Sequence, residues 1–229
     1  MATKHLQLSA TTLSLYQECP RCFWLHMQAG IKRPARPFPS ITGGLDRLVQ
    51  GECDRLRPAM PTLLYVALME VAWRISPQLM DPKVAYLRCQ LGEIPLVGRL
   101  DDCLVQGTTV APLDHKSRGS RPPPGYSAQY YQLQMDVYAL LLQQNGYPVR
   151  EEGYLAYYYP LPEPGAVDSG GGIPFGCTVE EIRVSPARAE VCYHAACMCL
   201  AGDCPVDSAA DCAYCAWITS ALQYPLVRE

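Results

Sequence analysis

The spacing of apolar positions changes along the chain, and the changes divide it into helical and stranded stretches. Residues 9–28 read as two short helices broken at Cys19-Pro20. Ser9 or Thr11 can cap the first, and Pro20 suits a first helical turn. Residues 31–40, with Pro34, Pro37 and Pro39, read as a linker-like crossing. Over 42–57 the set Leu45, Leu48, Val49, Cys53 and Leu56 recurs at helical spacing, and 61–75 predicts a second, more buried helix with a thin polar face. The period then shortens to two. Stretches 84–91, 94–105 and 109–116 predict strands, separated by the hairpin signals Gly92-Glu93 and Gly107-Thr108. A basic, proline-rich loop over 120–125 leads into a helix over 127–144 that Asn145-Gly146 closes. A tyrosine-dense strand (153–159), a glycine-rich loop (164–176), a strand (177–185) and a helix over 186–200 stopped by Gly202 complete the pattern. Helices, then antiparallel strands, then a helix and further strands predict one mixed α/β domain over 1–229.

Composition narrows the function classes. With 49% hydrophobic and 18% charged residues, 229 residues can bury a substantial core, which excludes a disordered or collagen-like chain. The best apolar run, 63–69, is cut by Glu70 and Arg74, far short of the ~20 residues a bilayer crossing needs. The first twelve residues hold no apolar signal core, so a cytoplasmic, membrane-free protein is expected. A net charge of −3 removes any global basic field but leaves room for a local basic groove. Twelve cysteines are many for a reducing compartment, where metal ligation and burial are their usual fates.

The most informative chemistry lies in the second predicted hairpin. If Gly107-Thr108 is a two-residue loop, opposed residues have numbers summing to 215, and Asp101 faces Asp114. Lys116 then shares their face, while His115 points to the other, as a core or supporting residue. Two like charges directly opposed destabilise a plain sheet. A divalent cation removes the conflict, because hard carboxylate oxygens suit Mg²⁺ or Mn²⁺. A lysine beside that ion can orient or deprotonate an attacking water and steady charge developing on phosphorus. Asp101, Asp114 and Lys116 therefore form a candidate catalytic set for phosphodiester hydrolysis.

These residues resemble a known family. Asp101 followed by Asp114-His115-Lys116 is similar to the signature of the PD-(D/E)XK nucleases, and Gln134-Met135-Asp136-Val137-Tyr138 resembles the Gln-x-x-x-Tyr motif of their RecB-like branch. That branch includes CRISPR-associated RecB-type exonucleases bearing an iron–sulfur cluster. Ser14-Leu15-Tyr16-Gln17-Glu18-Cys19-Pro20-Arg21-Cys22-Phe23 is similar to the branch's amino-terminal helix, where a Cys-Pro opens the cluster site. The resemblance runs from about residue 9 to 215. It implies a restriction-endonuclease-like mixed central sheet flanked by helices, and metal-dependent hydrolysis of DNA, as an exonuclease on single-stranded ends in repair, recombination or CRISPR-type defence. It also implies a further metal ligand from a helix before the sheet. Gly43-Gly44-Leu45-Asp46-Arg47-Leu48 stands where a histidine is often found, which makes Asp46 the candidate, with Glu52 the alternative. Gln134 and Tyr138 share a helix face and, by resemblance, approach the strand near the metal. Arg118 and Arg121 continue from Lys116 and can hold phosphates.

Cys19-x-x-Cys22 and Cys212-x-x-Cys215 lie near opposite ends of the chain, within 9–28 and 202–217. Four thiolates suit tetrahedral Zn²⁺ or a 4Fe–4S cluster, and either would clip the two segments together. Spacing alone leans towards zinc. The resemblance implies an iron–sulfur cluster and allows Cys204 to replace Cys22. The missing histidine and the net negative charge motivate a second reading, a catalytically inactive nuclease-fold module that binds nucleic acid or a protein partner. A zinc-stabilised domain without a nucleic-acid role is a third.

Overall fold

The computed structural model describes residues 6–34, 40–71, 77–162, 172–205 and 207–224. The expectations for 35–39, 72–75 and most of the glycine-rich loop fall outside these residues.

Ser9 is the cap of helix α1 (Ala10–Glu18), and its side chain and that of Thr12 satisfy each other's backbone N–H groups. Helix α2 (Pro20–Trp24) starts on Pro20, as expected, and runs into a π-helical turn (Leu25–Ala29) ended by left-handed Gly30. Helices α3 (Ser40–Leu56) and α4 (Thr62–Val71) follow. Contrary to the sequence reading, α4 is not deeply buried. Leu64, Ala67 and Leu68 face the core, while Leu63, Tyr65 and Val66 are exposed.

The expected strand over 94–105 is two strands in different sheets. Strand β3 (Leu96–Arg99) pairs with β2 (Tyr86–Cys89) in a small separate ribbon. The chain turns at Leu100-Asp101, and β4 (Asp102–Gln106) joins the main sheet. Gly98 marks the ribbon's close approach to the helix α5 (Tyr126–Gln144): a Cβ there would collide with Leu141 and touch the Tyr138 ring. The main sheet also contains β5 (Thr109–Ser117), β6 (Glu152–Pro160), β7 (Phe175–Arg183) and the two-residue β1 (Gln78–Leu79), which the sequence did not reveal. Its order is β1-β4-β5-β6-β7. Only β5 and β6 pair in parallel, and α5 makes the crossover between them. The result is the mixed five-stranded sheet flanked by helices that the resemblance implied.

The hairpin register holds. Gln106 opposes Thr109 and Asp102 opposes Leu113, each pair summing to 215. Gly107 supplies the positive φ (58°) at the first loop position, where a two-residue hairpin loop favours glycine.

Side-chain alternation divides the core between the two faces of this sheet. Leu155 and Tyr157 of β6 join Val110 of β5 and the buried stripe of α5, with α6 (Pro186–Ala201) packed against it. Tyr154, Ala156 and Tyr158 point the other way, with Ala111 and Leu113, towards Cys53 of α3 and Leu64 and Leu68 of α4. Asp136 of α5 anchors α6: it accepts a fork from Arg188 (2.7 and 2.8 Å) and the Ser185 N–H (2.8 Å). The last helix, α7 (Ala213–Ala221), brings Cys212 and Cys215 to α1 and α2 in a small cluster of their own. No helix among the described residues is long and apolar enough to cross a membrane.

Candidate active site

At the C-terminal end of β5 the sheet meets α3 on one face and α5 on the other, leaving a cleft of about 370 Å³. Asp46, Gln50, Asp101, Asp114, Lys116, Gln134 and Tyr138 line it. The register explains why. Asp101 lies in the turn one residue before β4, next to the Asp102–Leu113 pair, and it lines the cleft together with Asp114.

Asp114 is buried. Gln134 Nε2 donates to its Oδ1 at 3.0 Å, and the Lys116 ammonium forms an ion pair with Oδ2. Burial, reinforced by the Asp101 charge and opposed by Lys116, raises the Asp114 carboxyl to about 6. Burial would lower the Lys116 pKa, yet Asp114 beside it raises it overall, so Lys116 stays an ammonium at neutral pH. That state suits orienting a water or steadying a phosphate and removes Lys116 as a resting-state base.

Gln134 ties the group together. Its Nε2 also donates to the Tyr138 hydroxyl (2.8 Å), and its Oε1 accepts from Lys116 (3.4 Å). Asp101 accepts from Gln50 Nε2 (3.2 Å) and from the His115 N–H (3.1 Å). Asp46 reaches across from α3 and accepts the Ser117 hydroxyl. Glu52, the alternative to Asp46, forms an exposed pair with Arg55, so it is set aside. The donor set fits a hard divalent ion: three carboxylates line one cleft, and the buried Asp114 stands beside the like charge of Asp101. The three are not drawn into one tight group, since the described residues bring ligand atoms mutually within 4.8 Å only at the two sites described next.

The first is Cys53, Asp102 and His115, on the opposite face of the hairpin. Here cations are already present. Arg57 Nη1 and Nη2 both reach the Asp102 carboxylate at 2.8 Å. Burial would lower the His115 pKa, but Asp102 and Cys53 beside it raise it to about 9. The Tyr158 hydroxyl lies 3.2 Å from its Nδ1. This is a structural brace beneath the cleft, as the opposite-face reading of His115 expected. Asp102 and Arg57 escaped sequence reasoning, because nothing local connects residue 57 to residue 102.

The second is Cys19, Cys22, Cys212 and Cys215, all buried. Burial opposes ionisation of Cys19, but the N–H groups of Cys22 and Ala209 and the neighbouring thiols pull it down to about 7. Cys204 is not among the four; its nearest hydrogen-bond acceptor is the Pro205 carbonyl, 3.8 Å away. The set can hold a metal that clips the amino- and carboxy-terminal segments.

A row of tyrosines was also missed. At the start of α5, the Tyr126 ring lies 4.5 Å from that of the exposed Tyr130, tilted by 40°, and Arg118 lies over Tyr126 at 4.0 Å. Lys116 lies over Tyr131 at 4.6 Å. Their helical spacing from Gln134 was the available signal. Arg121 is exposed beyond this row.

Because Asp114 titrates near 6, protons and cation compete for it. Its folded value exceeds the roughly 3.9 of a free aspartate, so the metal-free fold holds the proton more tightly and loses stability as pH rises from about 4 to 6. Bound cation reverses this. Mn²⁺ affinity measured calorimetrically is expected to level off above about pH 7 and to fall by up to tenfold per unit below pH 6. Affinity independent of pH between 5 and 7 would remove Asp114 from the ligands.

Comparison with known proteins agrees with this geometry. The family model of the PD-(D/E)XK nuclease superfamily matches residues 45–220, which contain most of α3, the hairpin and α5. Comparison with curated proteins gives no match. Among solved structures the chain is similar to the crystal structure of SSO0001, at 15% identity over 86% of this chain and 78% of that one, with a TM-score of 0.40. That likeness is too distant to carry an argument. The family match spans most of the chain and includes Asp46, Asp101, Asp114, Lys116, Gln134 and Tyr138 of the cleft: this protein belongs to the PD-(D/E)XK nuclease superfamily, whose members are metal-dependent phosphodiester hydrolases.

Proposed function

We propose that the protein is a deoxyribonuclease that shortens single-stranded DNA from an end, with Mg²⁺ or Mn²⁺ held by Asp101 and Asp114 and completed by Asp46. The observation that carries this reading is the buried Asp114 carboxylate, ion-paired with Lys116 in a cleft shared with two more carboxylates. When bound, the ion supplies Lewis-acid stabilisation of the charge that develops on the phosphate. Lys116 holds a water against the phosphate and offers positive charge to the same transition state. Gln134, braced by Tyr138, fixes the relative positions of Asp114 and Lys116. Arg118 and Arg121 grip backbone phosphates outside the cleft. Tyr130, exposed beside Tyr126, offers a surface on which an unpaired base can stack, and this favours a single strand over a duplex. Such trimming of free ends fits repair, recombination or CRISPR-type defence in the cytoplasm.

The test compares a linear single strand with a circular one of the same sequence, each with Mn²⁺. The linear strand is expected to be degraded and the circle spared, and chelation stops the reaction. Equal cleavage of both would make the protein an endonuclease. The Ser117 contact that holds Asp46 and the loosely gathered carboxylates favour one rival, the inactive binding module. It predicts strand binding with no cleavage in any divalent metal.

A further inference from the structure

We infer that the four-cysteine site is built for a single tetrahedral ion, zinc, and not for the 4Fe–4S cluster that the resemblance implies. The argument is one of distance. Cys22 Sγ lies 3.5 Å from Cys215 Sγ and 3.6 Å from Cys212 Sγ, and Cys19 Sγ lies 3.9 Å from Cys215 Sγ. All four sulfurs fall within 4.8 Å of one another. Four thiolates around one zinc at 2.3 Å stand about 3.8 Å apart, the edge of the tetrahedron. A 4Fe–4S cluster carries each thiolate on a different iron, pointing outward from the cube, which spreads the sulfurs to roughly 6 Å. The spacings of 3.5, 3.6 and 3.9 Å match the first and would have to open by about 2 Å for the second. It is also far too long for disulfides, whose sulfurs lie about 2.05 Å apart.

Local structure supports the same assignment. The ligands come as two matched pairs. Cys19 caps α2 and Cys22 follows within its first turn, while Cys212 caps α7 and Cys215 follows within its first turn. Each Cys-x-x-Cys thus presents two sulfurs towards one point. The sulfurs are buried in a satellite cluster with Leu15, Ala209 and Tyr214 packed against them. Arg33 Nη2 donates to Cys212 Sγ at 3.6 Å, offsetting part of the excess negative charge of four thiolates around a dication. An all-sulfur set selects a thiophilic ion and leaves Mg²⁺ or Mn²⁺ to the carboxylate cleft.

The test is elemental analysis of the full chain, purified in parallel in air and anaerobically after expression with added iron. Expected are one zinc per chain in both preparations and no visible absorption. Cobalt substitution should give the intense visible bands of a tetrahedral four-thiolate site. Cys204→Ser should keep its zinc, and Cys22→Ser should lose it or bind it at least tenfold more weakly. About four irons per chain with visible absorption, metal loss in Cys204→Ser, or no bound metal would each overturn the inference. None of these readouts involves nuclease activity, so the result stands apart from the reading of the cleft.

Discussion

Asp114→Asn is expected to lower DNA cleavage by at least about 10³-fold while leaving the fold as stable as before or slightly more so. Both halves follow from the same burial. The carboxylate is held at a raised pKa of about 6, so its ionised form is costly to the empty fold and gains its return only when a cation is bound. A neutral amide of the same shape removes that cost and cannot replace an anionic ligand. Thermal melts with and without Mn²⁺ separate the two effects. The natural protein should gain stability with Mn²⁺, and the variant should show no gain. Lys116→Met should cost about 10²–10³-fold in rate, the usual range for removing one positioned donor, while keeping Mn²⁺ binding. Unchanged cleavage in either variant would remove the site from the catalytic mechanism.

Arg57→Ala should produce the largest loss of stability of any single change in this region. Asp102 is buried on the back of the hairpin, and Arg57 supplies both arms of its fork. Removing one partner of a buried pair strands a charge and typically costs 3–5 kcal/mol. For a chain of this size that corresponds to a fall in melting temperature of roughly 6–20 °C. His115 lies 3.9 Å from the same carboxylate and would take over part of the compensation, which places the effect towards the lower end. Arg57→Met with Asp102→Leu should recover at least half of the loss, because the double change leaves no stranded charge. If the double variant melts no higher than Arg57→Ala, the fork is not what stabilises the hairpin.

The parts of this architecture that could be read in the sequence are those set by short-range rules. The Ser9 cap, the Gly107 loop and the Gly202 stop are local, and the register that brings Asp101 and Asp114 together follows from loop length alone. Contacts between distant segments left no such trace. The turn at Leu100-Asp101 holds no glycine or proline to mark it, so the residues on either side read as one strand. Helix α4 looked buried by composition, yet Leu63, Tyr65 and Val66 face outward, since hydrophobicity alone does not say which face has a neighbour. Helix α7 was missed because it begins on a cysteine, which is not a recognisable cap. The cysteines themselves were legible as ligands from their spacing; which four meet required the folded chain.

The two faces of the hairpin place opposite demands on adjacent residues. Asp101 and Asp114 face the cleft, while their neighbours Asp102 and His115 lock the underside. A register shift of one residue would turn each strand over. It would turn the arginine-braced carboxylate into the cleft and set the cleft's own against the packed underside. The loop at Gly107-Thr108 can therefore lengthen or shorten between descendants of this gene only in ways that preserve parity, and its two residues act as the ruler by which the cleft is assembled.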